Sequence, residues 1–570
     1  MKNNMEKETT LTGAQALLKA LEEEKAEIIF GYPGGATLPV YDKLHESGIR
    51  HILCRHEQGG AHMADGYARA TGKAGLCMAT SGPGATNLVT GLATSFMDST
   101  PVIAISGQVP REMIGNDAFQ EVDITGITIP ITKHNYLISE SSEISNSIHE
   151  AYYLSTTGRK GPILLDIPKD VLNENIKTPE KNNHKTNLEG YNPTIKGHVG
   201  QIKRAVTLLK KSNKVLIISG GGVVSSGAED ALTNFAKKYQ IPVAATLMGK
   251  NGFPNSDELY LGLVGYHGTA AGNTAIQKAE TIIAIGTRFG DRTTGPLKTF
   301  AQNANIIHID IDPAEISKNI PSFIPIVGDA SAIIEELDKQ FSEIKNAELN
   351  RKEEEWLKYL IGIKTSRTKP ADNSKLNIPL ILEQLKKILK DPIITTDVGR
   401  HQIFTAHHFP VDKKNSFITS GGLGTMGFGL PAAIGAKAGK PDETVICISG
   451  DGSFLMCCQE LVTSVEEDLP VIVLVMRDNR LGMISQLQDA FYGKRYNCCD
   501  LGSVVDFTKI AEGMGAKGIR VKTPEEIEPA IKKAIELNKT TVIEFIIDEA
   551  KNTYPMVTGN SLTDFIEEEL

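Results

Sequence analysis

The chain has 570 residues, a length that favours three or four domains with material for several buried cores. Its formal charge of −9 provides no basic stripe for neutralising phosphates, which argues against nucleic acid as a partner. No apolar run approaches the length needed to span a bilayer, and Met1–Thr10 is polar with no apolar signal region, so neither membrane nor secretion is expected. Seven cysteines, with no CxxC and no framework spacing, fit free thiols in a reducing cytoplasm and not a thiolate metal site.

Short Val/Ile/Leu runs alternate with helical patterns in three blocks, the signature of mostly parallel α/β sheets. Block one carries Glu27–Phe30, Ile52–Leu53, Gly75–Thr80, Val102–Ser106 and Ile163–Ile167. Residues 172–198, rich in Asn, Lys, Glu and Pro, read as an exposed connector. Block two carries Val215–Ser219, Thr281–Ile285 and Ile306–Ile311. Residues 338–378 are heavily charged, with a solvated helix expected over Phe341–Leu360 and loop over Thr365–Lys375. Block three carries Ile393–Thr396, Thr444–Ser449, Val471–Met476 and Thr541–Ile547. The fold class expected is α/β, with three doubly wound parallel-sheet domains over residues 8–175, 195–340 and 375–555. Blocks one and three are candidates for similar domains.

The segment Ile446–Gly482 holds the densest chemistry. Asp451 and Asp478 lie 27 positions apart, each just beyond an apolar run, and Gly450-Asp451-Gly452-Ser453 forms a turn. In a parallel sheet, ligands bind at the carboxyl ends of the strands, beside the N-termini of the crossover helices. Two hard oxygen ligands and a Gly-Ser turn suit Mg²⁺ holding a diphosphate, since magnesium takes one or two carboxylates and leaves its other positions to water and phosphate. An ordinary βαβ unit with turn aspartates is the competing reading.

This segment resembles the diphosphate-anchoring motif of thiamin-diphosphate enzymes, where a backbone carbonyl two residues on, here that of Arg480, is the third protein ligand. More of the chain carries a narrower likeness: Gly31–Ala36, Arg55–Gly59, His62–Arg69, Thr80–Asn87, Gly107–Pro110, Asp117–Glu121, Ser420–Gly427 and Tyr554–Val557. Together these are similar to the large, catalytic subunits of acetohydroxyacid synthase, also called acetolactate synthase, from about Thr10 onward. The resemblance implies a pyrimidine-binding domain, a middle domain of FAD-binding type and a diphosphate-binding domain. It also implies thiamin diphosphate, Mg²⁺ and FAD as cofactors, and 2-oxo acids as substrates. The reaction would be decarboxylation of pyruvate and ligation of the hydroxyethyl unit to a second 2-oxo acid, as the first step of branched-chain amino-acid biosynthesis.

Residue by residue, the resemblance makes Glu57 the acid that hydrogen-bonds the cofactor's aminopyrimidine, a role for which burial would raise its pKa. Gly424 offers its carbonyl to the amino group, and Met426 wedges under the thiazolium. Gly399, Arg400 and His401 lie at the diphosphate end with Gly452 and Ser453, and Arg159 and Met483 complete the cofactor contacts. Gly35, Phe119, Gln120 and Lys169 line the substrate pocket across a subunit boundary, and Arg292 holds the acceptor carboxylate. Gly221, Gly222, His267, Gly268, Thr269, Arg288, Asp310 and Asp329 serve the flavin. A homodimer or homotetramer is implied, and a small regulatory subunit is common in the family.

Five departures stand out, one of them the run Met476–Leu481, where the metal position survives as Asp478 but the residues around it differ from the family's. Arg400 replaces a usual Gln, Tyr266 a Met and Gly290 an Asp, while Leu487 stands where tryptophan shapes the acceptor pocket. The smaller leucine implies a weak preference for 2-oxobutyrate over pyruvate, since one methylene is worth about 1–3 kcal/mol. Another thiamin-diphosphate decarboxylase or oxidase, or a catalytically silent partner subunit, are the alternatives.

Overall fold

The computed structural model describes residues 10–177, 188–342, 351–367, 372–547 and 552–566. Three six-stranded sheets, every pairing in them parallel, form its frame. The first runs, edge to edge, Arg50–Leu53, Ile28–Gly31, Gly75–Ala79, Val102–Gln108, Ile163–Pro168 and His134–Leu137. Counting strands in chain order within each sheet, this is 2-1-3-4-6-5. The third sheet repeats the order with Phe417–Thr419, Ile393–Thr396, Val445–Gly450, Ile472–Arg477, Thr541–Ile546 and Lys517–Val521. The shared order supports the kinship suspected between the outer blocks. The middle sheet runs Tyr260–Leu263, Val243–Ala245, Val215–Ser219, Thr281–Ile285, Asn305–Asp310 and Ile324–Val327, the order 3-2-1-4-5-6 of dinucleotide-binding folds.

The central strands were legible because a parallel sheet covered on both faces demands near-continuous apolar runs. Val215–Ser219, Thr281–Ile285 and Ile393–Thr396 match their expected bounds residue for residue. The sheets' edge strands escaped detection where they are short or carry polar residues, as in His134–Leu137 and Lys517–Val521. Two expectations for the connecting segments change. The connector contributes Asn175–Lys177, which pairs antiparallel with Thr10–Thr12, and residues 178–187 of it lie outside the described residues. The charged stretch, expected as a solvated helix, has a buried stripe in its described part. Helix Ala330–Ser342 ends it on one side, residues 343–350 lie outside the described residues, and helix Arg351–Arg367 buries Trp356, Leu357 and Leu360. The Trp356 indole N–H donates to the Val215 carbonyl at 3.1 Å, anchoring this helix at the start of a middle-sheet strand. Thr365–Arg367, expected as loop, continues the helix, while 368–371 lie outside the described residues.

The chain groups into two compact units. One comprises residues 1–192, 422–442 and 457–470; the other comprises 193–421, 443–456 and 471–570. In the first unit, helix Gly429–Gly439 packs along helix Glu57–Thr71 at backbone contact. A Cβ on Gly435 would lie 1.9 Å from the Met63 carbonyl oxygen, and one on Gly66 would lie 2.1 Å from that of Ala432. Small residues let the two backbones touch, so an added methyl has nowhere to go. Gly435→Val should therefore destabilise this unit by roughly 3 kcal/mol or leave the chain insoluble, read as a lowered melting temperature. An unchanged melting curve would contradict the packing described.

Candidate active site

In the third sheet the strand order reverses between Ile393–Thr396 and Val445–Gly450, which are adjacent strands of one ladder. Their crossovers leave on opposite faces and open a crevice at the carboxyl ends, where α/β proteins bind ligands. Asp397-Val398-Gly399-Arg400 emerges from the first strand and Asp451-Gly452-Ser453 from the second, and the next strand, Ile472–Arg477, delivers Asp478. Register places Gly450 opposite Met476, which sets the two carboxylates at nearly the same level of the sheet.

Both carboxylates are held by main-chain amides. Asp451 accepts from Gly452 N–H at 2.8 Å through Oδ1 and from Asn479 N–H at 2.7 Å through Oδ2. Asp478 Oδ1 accepts from Arg480 N–H at 3.1 Å. Asp451 is only 4 % exposed; burial, reinforced by the negative charge of Asp478, pushes its carboxyl up to about 6. A buried acid destabilised by a second carboxylate is a site with affinity for a cation. Among the described residues no cluster of three or more His, Cys, Asp or Glu side chains could hold a metal. Magnesium needs no such cluster, so the donor set fits it: two carboxylates plus backbone oxygen, the rest left to water and phosphate.

Arg400 lies in this crevice with its side chain 5 % exposed, and its Nη2 donates to Asp478 Oδ2 at 2.5 Å. Ser453 Oγ donates to the Val398 carbonyl at 3.3 Å, tying the two turns together. His401 is buried against Gly399 and Gly450, with its Nε2 unpartnered; burial drives its pKa down to about 3, so the ring is neutral. Met483 and Leu487, both half-buried, lie on helix Gly482–Phe491 that follows the Asp478 turn. The Arg480 side chain is paired elsewhere, its Nε donating to Asp500 Oδ1 at 2.9 Å.

In the other unit, Glu57 opens helix Glu57–Thr71 directly after strand Arg50–Leu53 and its turn. Its Oε2 accepts from Asn87 Nδ2 at 2.9 Å, and a Cβ on Gly84 would come within 3.3 Å of its Oε1. Glu57 is half-buried; the fully buried acid is its neighbour Glu460. Glu460 accepts from the Arg55 amide at 3.1 Å and from Thr463 Oγ1 at 2.8 Å, and burial pushes it up to about 7. It thus pins the turn that presents Glu57. No sequence signal marks Glu460, since a Gln-Glu-Leu triplet at the start of a helix is unremarkable. Asn87 lies within a recognised motif, yet only the fold brings it to Glu57.

The remaining candidates divide. Gln120 adopts a left-handed φ of 60°, and its backbone packs on Gly82, where a Cβ would lie 2.7 Å from its carbonyl oxygen. Phe119 beside it is 88 % exposed, Gly35 is exposed, and Lys169 starts the short helix after strand Ile163–Pro168. Gly424, with φ of 73°, and half-buried Met426 follow in the same unit, while Arg159 donates to Ser99 Oγ at 3.0 Å.

In the middle sheet the switch point falls between Val215–Ser219 and Thr281–Ile285. Gly221 and Gly222 follow the first strand, and Arg288 follows the second by way of Gly286. Gly222 N–H donates to the Gly286 carbonyl at 3.0 Å, and a Cβ on Gly222 would lie 2.5 Å from the Gly286 Cα, so these glycines seat the two turns on each other. His267 has an unpartnered buried Nδ1 and a pKa lowered by burial to about 4. Gly268 N–H donates to the Gly265 carbonyl, and Thr269 caps helix Ala270–Lys278. Asp310 ends its strand and accepts from Asp312 N–H at 2.9 Å, while Asp329 accepts from Ser331 and Ala332 N–H at the start of helix Ala330–Ser342. Arg292 is exposed, its guanidinium 5.2 Å from the Tyr266 ring centroid.

Residues 11–127 match the N-terminal TPP binding domain of thiamine pyrophosphate enzymes, 202–337 the central domain, and 397–545 the C-terminal TPP binding domain. The chain is thus built as a thiamine pyrophosphate enzyme. It is 47% identical to the probable acetolactate synthase large subunit of Methanococcus aeolicus, over 98% of this chain and 95% of the relative. It is 42% identical to the acetolactate synthase large subunit of Haemophilus influenzae, over 98% of each chain. It is 41% identical to the isozyme 3 large subunit of Escherichia coli, over 96% of each. At such identity over such coverage, the chain belongs to the acetolactate synthase large-subunit family.

The raised pKa of Asp451 makes the cofactor-free protein pH-sensitive. The folded state holds this proton more tightly than the unfolded chain, so its stabilising effect is complete below about pH 4 and is lost as pH rises through about 6. Asp451→Asn should flatten the stability slope across that window, by up to about 1.4 kcal/mol per pH unit, and raise cofactor-free stability at pH 8. Chemical denaturation of both proteins at pH 4.5 and 8 tests this; equal slopes would count against a raised Asp451 carboxyl.

Proposed function

We propose that the chain is the catalytic subunit of an acetolactate synthase, converting pyruvate and a second 2-oxo acid to an acetohydroxy acid and carbon dioxide. The observation that carries this reading is Glu57 held by Asn87 at the head of its helix, in a chain whose third sheet also presents the Asp451 and Asp478 pair. Thiamin diphosphate, when bound, supplies the carbanion-stabilising chemistry that amino acids lack.

The protein's own residues then bind, orient and move protons. Asp451, Asp478 and the Arg480 carbonyl would hold Mg²⁺, and the Gly452-Ser453 turn would take the diphosphate oxygens. Glu57 would share a proton with the aminopyrimidine ring; Asn87 fixes one carboxylate oxygen, leaving the other for that bond. Gly424 and Met426 would orient the ring system. Gln120, an uncharged donor, suits an oxygen that gains negative charge, with Phe119 excluding water and Lys169 supplying positive charge. Arg292 suits a substrate carboxylate: its guanidinium is exposed, with the solvated Asp291 carboxylate at 3.7 Å to be displaced.

FAD belongs to the same proposal. The 3-2-1-4-5-6 order supports a dinucleotide at the middle-sheet switch point, where Gly221, Gly222, Arg288, Asp310 and Asp329 beyond the strand ends, with His267, Gly268 and Thr269, would hold the flavin cofactor. The relatives are named large subunits, which supports a smaller regulatory partner here, and a homodimer or homotetramer of this chain is part of the reading. Among the described residues no helix is long and apolar enough to cross a membrane.

Purified protein with Mg²⁺, thiamin diphosphate and FAD should convert pyruvate to acetolactate, identified by mass; acetaldehyde or acetate instead would make it a decarboxylase or oxidase. Glu57→Gln should lower kcat by about 10²–10⁴ while cofactor affinity stays within a few-fold, and full activity would remove Glu57 from the mechanism. Leu487→Trp should shift acceptor choice toward 2-oxobutyrate by roughly tenfold or more, read from the product ratio in a mixed-substrate assay. An unchanged ratio would take Leu487 out of the acceptor pocket.

A further inference from the structure

The resemblance places Arg400 at the diphosphate end, and the structure adds that its guanidinium is paired with a carboxylate of the proposed metal site. Its Nη2 donates to Asp478 Oδ2 at 2.5 Å, while Asp478 Oδ1 is held by the Arg480 amide. Its Nη1 reaches Asn552 Oδ1 at 3.4 Å, and Asn552 is itself fixed to Asp489 at 3.0 Å. Gly482 makes room for it: a Cβ there would lie 2.1 Å from Arg400 Nε. The pair is buried, with side chains 5 % and 14 % exposed, so solvent screens it little. Among the described residues, Arg400 is the one cationic side chain recorded in a salt bridge with either carboxylate of the pair.

We infer that Arg400 is a resident cation of the metal–diphosphate crevice, opposing divalent-metal binding when the diphosphate is absent and strengthening diphosphate binding when the metal is present. The inference rests on the proposed magnesium site. The Asp451 and Asp478 carboxylates together contribute −2, and the guanidinium lowers the contribution of these three groups to −1. A divalent cation is therefore held less tightly by the empty crevice than by the bare pair. With the cation in place the crevice is one unit more positive than it would be without the guanidinium, and an incoming diphosphate gains attraction in a low-dielectric setting. A planar guanidinium also pairs with phosphate oxygens in a fixed geometry that an amide side chain cannot match. One residue thus moves two affinities in opposite directions, which a merely structural role would not do.

The test uses the full-length protein and two titrations by calorimetry: Mn²⁺ alone into cofactor-free protein, and thiamin diphosphate into protein saturated with Mg²⁺. Arg400→Gln should tighten Mn²⁺ at least threefold and weaken thiamin diphosphate at least fivefold. Arg400→Lys, which keeps the charge, should stay within about threefold of wild type for Mn²⁺. Shifts of Arg400→Gln in the same direction, or no shift in either titration, overturn the inference. Asp478→Asn separates the two layers. If it abolishes Mn²⁺ binding while Arg400→Gln moves nothing, the metal site stands and the role of Arg400 falls. If Asp478→Asn leaves Mn²⁺ binding intact, the carboxylate pair is not the metal site and both fall.

Discussion

Parallel pairing of Ile393–Thr396 with Val445–Gly450 is the constraint from which the candidate site follows. Parallel strands cannot be joined by a tight turn, so each must hand its chain to a crossover. Where strand order reverses, neighbouring crossovers leave on opposite faces and a crevice opens between them. Everything that enters the crevice comes from the few residues just past a strand end: Gly399 and Arg400 from one strand, Asp451 to Ser453 from its neighbour, Asp478 from the next. Charge then becomes the governing quantity. Burial strips water from Asp451, and the nearby charge of Asp478 adds to the cost; the rise of Asp451 to about 6 expresses both.

The same architecture answers a different demand at Glu57. There the site is the head of a helix after a strand end in the first sheet, and the acid is half-buried, not sealed. Its geometry is fixed from two sides, by Asn87 on the carboxylate and by Glu460 on the turn that carries it. Glu460, not Glu57, bears the full desolvation cost, and its bonds to the Arg55 amide and Thr463 hydroxyl offset part of it. Under the proposed function, this arrangement would leave the second Glu57 oxygen for the cofactor.

The middle sheet shows how a glycine cluster reads differently in sequence and in space. Gly220-Gly221-Gly222 after a strand suggests a phosphate cradle. In the fold, Gly222 and Gly286 approach each other so closely that neither admits a side chain, and this contact joins the turns on the two sides of the switch point. The glycines thus have a packing reason of their own, independent of any ligand. The strand order, not the glycine count, carries the argument for a dinucleotide.

Much of this was determined locally. A buried parallel strand must be apolar along its whole length, so the central strands, the three-block organisation and the location of Asp451 and Asp478 at strand ends were readable from runs of Val, Ile and Leu. Motif residues such as Glu57 and Gly424 were picked out by resemblance to a family, which a short contiguous motif is enough to carry. Partnerships formed across the fold were legible in neither way. Asn87 on Glu57, Glu460 under the Arg55 turn and Arg400 on Asp478 join residues 30, 405 and 78 positions apart, and no periodicity encodes such distances. Short edge strands and the buried stripe of helix Arg351–Arg367 were hidden likewise, because what covers a residue is decided by the neighbours that tertiary packing supplies, while the chain itself records only composition and order.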